Sequence, residues 1–284
     1  MAETKQTSKL RSVRPDFASF LGLVVALGGI LGGLIREKGQ VSDVMQVSAA
    51  IIVLAGTLGA VMVTSPLSAI IAAFKGLKDV FFENVVNFEV AIEEVIGYAT
   101  KARKSSIISL EEDLGNIADP FLKKALTLAV DGTDLQELRG MMQLEAFQSE
   151  KHAEAAAKVF EAAGGYAPTI GIIGAVLGLI QVMKHLEDIG EVGRGIATAF
   201  VATVYGVAVA NLFFLPAANK LKSRIHQEVQ AKELMLEGVS SILEGINPKL
   251  IRVKLEAYLQ KKGPSKEKAG AQASGAEEPA AAGG

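Results

Sequence analysis

Four stretches of this chain carry no charged residue at all, over residues 17–35, 47–74, 166–183 and 196–216. A hydrocarbon core of about 30 Å needs about 20 helical residues to cross it, so each stretch reads as a membrane span. The second is long enough to extend past the membrane. Short polar connections, REKGQVSDVMQ and KHLEDIGEVGR, join the first stretch to the second and the third to the fourth. The expected fold class is therefore an all-α membrane protein. Four transmembrane helices stand in two hairpins, with a large helical cytoplasmic domain between and after them.

Basic residues set the orientation. Lys5, Lys9, Arg11 and Arg14 precede the first span, Lys75 and Lys78 follow the second, and Lys220, Lys222 and Arg224 follow the fourth. The N-terminus, the central region and the C-terminus are all expected on the cytoplasmic side. The first apolar run lacks a small-residue cleavage site and reads as a retained helix, not a removed signal. The expected division is a cytoplasmic segment at 1–16, a first hairpin at 17–74, a cytoplasmic helical domain at 75–165, a second hairpin at 166–216, cytoplasmic helices at 217–262 and a disordered Ala/Gly-rich tail at 263–284.

The central region is helical in pattern. Val85, Phe88, Ile92, Val95 and Ile96 recur at helical spacing. Asp119-Pro120 has the form of a helix start, and Asp131-Gly132-Thr133-Asp134 that of a break followed by a new cap. From Leu135 a helix is expected to run into the third span without a stop. Beyond Pro216 another helix follows, carrying Leu221, Ile225, Val229, Leu236 and Val239.

Little here supports an enzyme. There is no Cys, so disulfides and thiolate sites are impossible. His152, His185 and His226 lack metal-ligand spacing, and neither a phosphate loop nor a nucleophile elbow is present. No cofactor is implied. The net charge of −2 makes no case for nucleic acid. Gly28 with Gly32, and Gly29 with Gly33, are small pairs at i, i+4 that predict close helix packing.

The spans themselves are more informative. An ion pathway needs an ionisable or polar group in the membrane. These spans offer Thr203, on a stripe of small residues with Ala199, Gly206 and Ala210, and little else. Either that hydroxyl bonds back to its own helix or it lines a path whose carboxylate comes from another chain. Pro168 and Pro216 each remove a helix hydrogen bond where spans meet cytoplasmic helices. They read as plain boundaries or as a paired hinge. In ATKARKSSIISLEED, Arg103 and Glu111 stand just over two helical turns apart, as a solvated face or as a surface that a charged partner reads.

Several of these motifs, in this order, resemble the flagellar motor stator A subunit family of the MotA/PomA type, over nearly all of residues 15–259. VSAAIIVLAGTLGAVMVTSP resembles its second span, ARKSSIISLEED its charged cytoplasmic motif, and SEKHAEAAAKVFEAAGGYAPTIGIIGAVLGLIQVM its third span and the approach to it. GRGIATAFVATVYGVAVANLFFLPAANKL resembles its fourth, and LEGINPKLIRVKLEAYL the end of its cytoplasmic domain. The resemblance implies a homopentameric ring around a dimer of a one-span B-type subunit (MotB/PomB-like), whose aspartate carries the ion, in lipid of the bacterial inner membrane. It implies torque on the rotor protein FliG. Prolines matching Pro168 and Pro216 couple ion flow to shape change, a threonine matching Thr203 lines the path, and charges matching Arg103, Glu111 and Glu145 face the rotor. The family usually has Gly where this chain has Ser106. Sodium-type members place Thr at the positions of Ala175 and Ala202, which implies proton coupling here. The nearest rival is an ExbB/TolQ-type energiser of outer-membrane processes, whose members resemble three-span chains without the leading hairpin. A solute transporter would show inverted repeats with broken helices, and a plain membrane scaffold would tolerate loss of Thr203 or Pro168.

Overall fold

The computed structural model describes residues 11–259. Lys5, Lys9 and the tail at 263–284 lie outside the described residues. In chain order, a short strand β1 (Arg11–Pro15) leads into α1 (Phe17–Arg36), which turns back into α2 (Val47–Thr64) and α3 (Leu67–Phe81). A second strand, β2 (Phe82–Val86), pairs antiparallel with β1, from Arg11 opposite Val86 to Pro15 opposite Phe82. Then follow α4 (Phe88–Ser105), α5 (Pro120–Val130), α6 (Leu135–Lys184), α7 (Ile189–Val209), α8 (Leu215–Leu243) and α9 (Pro248–Glu256).

Four helices are long and apolar enough to cross a membrane: α1, α2, the C-terminal part of α6, and α7 with its continuation. The expected unbroken helix over 47–74 is in fact two. Ser65 is extended (φ −121°, ψ 139°) and Pro66 caps the next helix at φ −64°, ψ 145°. Proline pushes its predecessor out of the helical region, which ends α2 at Thr64. The apolar side chains on both sides hide this break from a hydropathy reading.

The expected boundaries elsewhere are met by their caps. Asp119 accepts from the backbone N–H groups of Phe121 (2.9 Å) and Leu122 (3.2 Å) to start α5. Gly132 takes φ +81°, and Asp134 accepts from Gln136 N at 2.9 Å to start α6. From there α6 runs 50 residues without interruption, through Pro168, to Lys184. Val85 belongs to β2 rather than to the helix expected around it, which begins only at Phe88.

Besides a small cluster among the spans, the described residues form two larger cores. One joins α4, α5, the start of α6, α8 and α9 around Ile92, Leu110, Leu122, Leu126, Leu138, Met142, Leu234, Met235, Ile251 and Leu255, all at most 2% exposed. The other, at the junction with the spans, joins α3, α6 and α8 around Ile70, Ala73, Ala157, Phe160, Ala163, Ala217, Ala218 and Leu221. Burying a large aliphatic side chain contributes about 1.5–3 kcal/mol, so α6 is anchored at its start in one core and at its middle, residues 156–163, in the other.

By contrast, α1 has no buried residue. The close packing expected of Gly28, Gly29, Gly32 and Gly33 is not found within the chain: a Cβ at any of them would meet no atom within 4 Å among the described residues. The start of α1 is held differently. Asp16 is 6% exposed and caps α1 through Ser19 N (3.2 Å), while ion-paired to Lys220 and to Arg224 (3.1 Å). Burial pushes its carboxyl pKa up, but hydrogen bonds from Lys220 and Ser19 outweigh this and hold it at about 2.

Candidate functional site

The centre of the molecule is the pairing of α6 with α7. Gly171, Gly174 and Gly178 are three and four residues apart and so share one face of α6. Facing them, α7 presents Gly195, Ala199, Ala202 and Gly206. The backbones nearly touch. A Cβ on Gly206 would stand 2.5 Å from the carbonyl oxygen of Ala167, and one on Gly178 would stand 2.7 Å from that of Gly195. Small residues are what allow two helices to approach so closely in lipid, where hydrophobicity gives no net attraction. The third side is closed by α2. Ile52 lies against Gly174, Ile170 lies over Gly56, and Ala49 and Val53 cluster with Val201 and Ala202.

The structure separates the three expected pathway residues. Thr203 is half-buried and its Oγ1 donates to the carbonyl of Ala199 at 3.1 Å, so within this chain the back-bonded arrangement is the one adopted. Ala175 is also half-buried. Ala202 is fully buried, packed against Gly174 and the α2 cluster, not on an open face. Two polar groups that the sequence reading did not single out lie nearby. Tyr205 donates its hydroxyl to Val44 O at 2.5 Å and accepts from Gln46 N at 3.3 Å, fastening the α1–α2 connection to α7. Thr57, in the middle of α2, is 2% exposed and its hydroxyl has no hydrogen-bond partner among the described residues. The available signal for both was a hydroxyl inside an apolar run.

The two prolines stand near a contact between α6 and α8, where Leu215 covers Gly164. Pro168 lies inside α6 and leaves the carbonyl of Gly164 without its usual partner. Pro216 is the second residue of α8, and a π turn (Ala210–Phe214) precedes it. Its missing N–H frees the carbonyl of Leu212, inside that turn. The wider i→i+5 pattern is how a helix absorbs such a disturbance without breaking. Leu215, next to Pro216, covers Gly164: a Cβ there would stand 2.5 Å from Leu215 Cδ2. Phe213 stacks edge-on against Phe160 of α6 (6.4 Å between centroids) and against Phe214 (5.6 Å).

The expected rotor-facing charges fall on three elements. Arg103 is exposed in the last turn of α4. The chain then reverses at Ser106, which takes φ +79°, ψ 157°, and Glu111 is exposed on the 3-10 segment Ile107–Asn116 that follows. Arg103 and Glu111 are therefore not on one helix, and their spacing in turns has no meaning. Lys101 bridges the reversal, pairing with Asp113 at 2.8 Å and Glu112 at 3.6 Å. Glu145, on α6, is paired with Lys124 of α5 at 2.5 Å. Neither Arg103 nor Glu111 has an ion-pair partner among the described residues.

Residues 113–234 match the profile of the MotA/TolQ/ExbB proton channel family, and residues 20–101 match Motility protein A N-terminal. Among similar proteins are Motility protein A of Bacillus subtilis, 37% identical over 87% of this chain and 92% of that one, and Motility protein A of Helicobacter pylori, 34% identical over 88% and 98%. Solved structures agree. The chain superposes on C. jejuni MotAB with a TM-score of 0.83 at 33% identity, covering 88% of this chain and 98% of that one. It superposes on the flagellar MotAB stator complex from Bacillus subtilis at 0.80 and 36%, covering 86% and 97%.

Proposed function

Since the chain belongs to the MotA/TolQ/ExbB proton channel family, on its motility protein A side, we propose that it is the A subunit of a flagellar stator, a multi-pass membrane protein that works with a MotB-like partner in an oligomer. The ExbB/TolQ alternative has less support, because the leading hairpin matches the motility-type N-terminal profile and the relatives align over more than nine-tenths of their length. The finer reading is a ring of five around a B-type dimer in the bacterial inner membrane, with both termini cytoplasmic and torque delivered to FliG.

One observation carries the mechanical part. The 50-residue α6 has its start in the cytoplasmic core and its C-terminal part in the membrane pair, and its proline lies one turn past Gly164, which Leu215 covers at the border. A tilt in the membrane half is thus passed to the cytoplasmic half without a flexible linker. The spans carry no acid, so the ion-binding carboxylate is assigned to the partner. Thr203 and Ala175, on the accessible sides of α7 and α6, are assigned to the path. Ala202 acts by packing. Stripping Na⁺ of water takes several oxygen ligands, and two Ala at 175 and 202 supply none, so the coupling ion is the proton. Arg103 and Glu111, exposed and free of intrachain ion pairs, are the rotor contacts together with Glu145, which must first exchange Lys124.

The test is complementation of a non-motile strain lacking its own A subunit, with this chain and its B-type partner supplied together. Motility is expected with the unsubstituted chain and lost with Thr203→Val or Pro168→Leu at unchanged membrane levels. Intact motility in both variants would overturn the pathway and hinge assignments. Swimming speed that tracks external sodium at constant proton-motive force would overturn the choice of ion.

A further inference from the structure

Most of α1 stands apart from the rest of the subunit. A cavity of about 320 Å³, lined by Gly22, Ala26, Asn211, Pro216 and Lys220 among others, separates it from the π turn and α8. Contact returns at the start of α1, where Phe20 leans on Phe81 (5.2 Å) and the β1–β2 pair forms. Three segments converge there on one residue, two of them on its carboxylate. Asp16 N donates to Phe81 O at 2.9 Å. The Asp16 side chain accepts from Ser19 N (3.2 Å) and Ser19 Oγ (3.1 Å) and is ion-paired with Lys220 Nζ and Arg224 Nη2 (3.1 Å). Arg224 completes the junction by donating Nη1 to Phe82 O at 2.6 Å. Lys220 and Arg224 are on α8, about one and two turns past Pro216.

We propose that Asp16 is a positioning residue for torque generation: it clamps the first hairpin to α8 immediately beyond the Pro216 junction. This rests on the stator reading above. The clamp makes α1, the α3–β2 corner and the base of α8 one body, so that bending is confined to the π turn and the proline pair. Asp16 touches neither ion nor rotor; it acts through Lys220 and Arg224. Charge-assisted hydrogen bonds that are largely removed from water are strong, and taking away one partner leaves the other charge buried and uncompensated. Arg224 is the more dependent cation, since its side chain is 15% exposed and its Nε, buried, has no partner among the described residues.

The experiment uses the full chain with its B-type partner. Because the chain has no cysteine, spin labels can be placed through Leu21→Cys on α1 and Ser223→Cys on α8 without removing a background thiol. Three backgrounds are compared with the parent: Asp16→Asn, Arg224→Gln, and the swap Asp16→Arg with Arg224→Asp. A narrow label distance is expected in the parent and a broadened one in both single variants, with partial return in the swap. In parallel, torque per stator unit is read from stepwise speed increments, with units counted by fluorescence. The single variants should still assemble and be recruited, with a severalfold loss of torque per unit that the swap partly restores. Unchanged torque per unit and unchanged distances in both single variants would overturn the clamp. So would loss of assembly in Asp16→Asn that the swap does not repair, which would mark a purely structural role. If the parent itself produces no torque, the stator reading fails, and the label distances still decide the clamp.

Discussion

Two regions of this molecule are built from the same material and use it in opposite ways. In the second hairpin, Gly171, Gly174, Gly178, Gly195 and Gly206 sit where any side chain would strike backbone or a packed neighbour. In α1, a Cβ on Gly22, Gly28, Gly29, Gly32 or Gly33 would meet no atom within 4 Å among the described residues. The same small-residue spacing therefore marks a filled interface in one place and an open face in the other. The pattern reports that close approach is permitted. Whether a helix takes up the offer depends on what the rest of the chain, or another chain, brings to it.

The contrast breaks most sharply at Gly206. Its missing Cβ would stand 2.5 Å from Ala167 O and 3.1 Å from Gly171 Cα, and neither backbone can move without parting α6 from α7. Overpacking a tight interior costs about 1–3 kcal/mol and sometimes more, so Gly206→Val should cost about 3 kcal/mol or more. The expected result is a collapse of membrane protein level and of motility together. A variant that accumulates normally and melts like the parent would mean that the helix pair is not as close as described.

A smaller effect is expected at the hinge, where the obstacle is a side chain. Gly164→Ala meets Leu215 Cδ2 and Cγ, which can rotate, so the cost should be about 1–2 kcal/mol. The double variant Gly164→Ala with Leu215→Ala removes the collision. If the two residues bear on each other, the double variant should melt higher than the sum of the single changes predicts, and additivity would show that they do not couple.

Much of the fold was legible because helices declare their ends. The Asp119 and Asp134 caps, Gly132 and the unbroken run through α6 were all visible as residue types at the right offsets. What escaped had physical reasons. The Ser65–Pro66 break sits among apolar side chains, so hydropathy runs through it. The β1–β2 pair joins segments far apart in sequence with no alternation to announce them. The π turn at 210–214 is a backbone response to Pro216 and to packing, not a residue pattern. The Lys124–Glu145 pair joins residues 21 apart on different helices. Of the site, the hydroxyl, the prolines and the charges could be picked out by type. Their surroundings could not, which is why Ala202 turned out buried and Arg103 and Glu111 turned out to be separated by a chain reversal.

That reversal gives the converse of the α1 glycines, a position that calls for glycine and lacks it. Ser106 holds φ +79°, ψ 157°, a region essentially reserved for glycine that costs other residues about 1–3 kcal/mol. Ser106→Gly should therefore stabilise the core around α4, α5, α8 and α9 by about 1 kcal/mol, at the low end because glycine also loses more entropy on folding. Thermal unfolding of the purified complex would register this as a rise in midpoint. A fall would mean that the serine side chain contributes more than the relieved strain, since the hydrogen bond that the Ser109 hydroxyl donates to the backbone carbonyl of residue 106 (2.7 Å) is kept in the variant.

The smallest effect is expected in α1, and its sign is what matters. Glycine in the middle of a helix costs about 0.5–1 kcal/mol relative to alanine through backbone entropy. At Gly29 an added Cβ meets no atom of the chain, so Gly29→Ala in the isolated subunit should gain about 0.5 kcal/mol. Measured in the assembled complex, the same substitution distinguishes two surroundings. A face that lies in lipid keeps the gain. A face closely packed by a helix of another chain loses it, and the midpoint falls although nothing in the subunit has changed. Gly206→Ala supplies the reference, since there the added methyl meets backbone within the same chain and the loss must appear in the subunit and the complex alike.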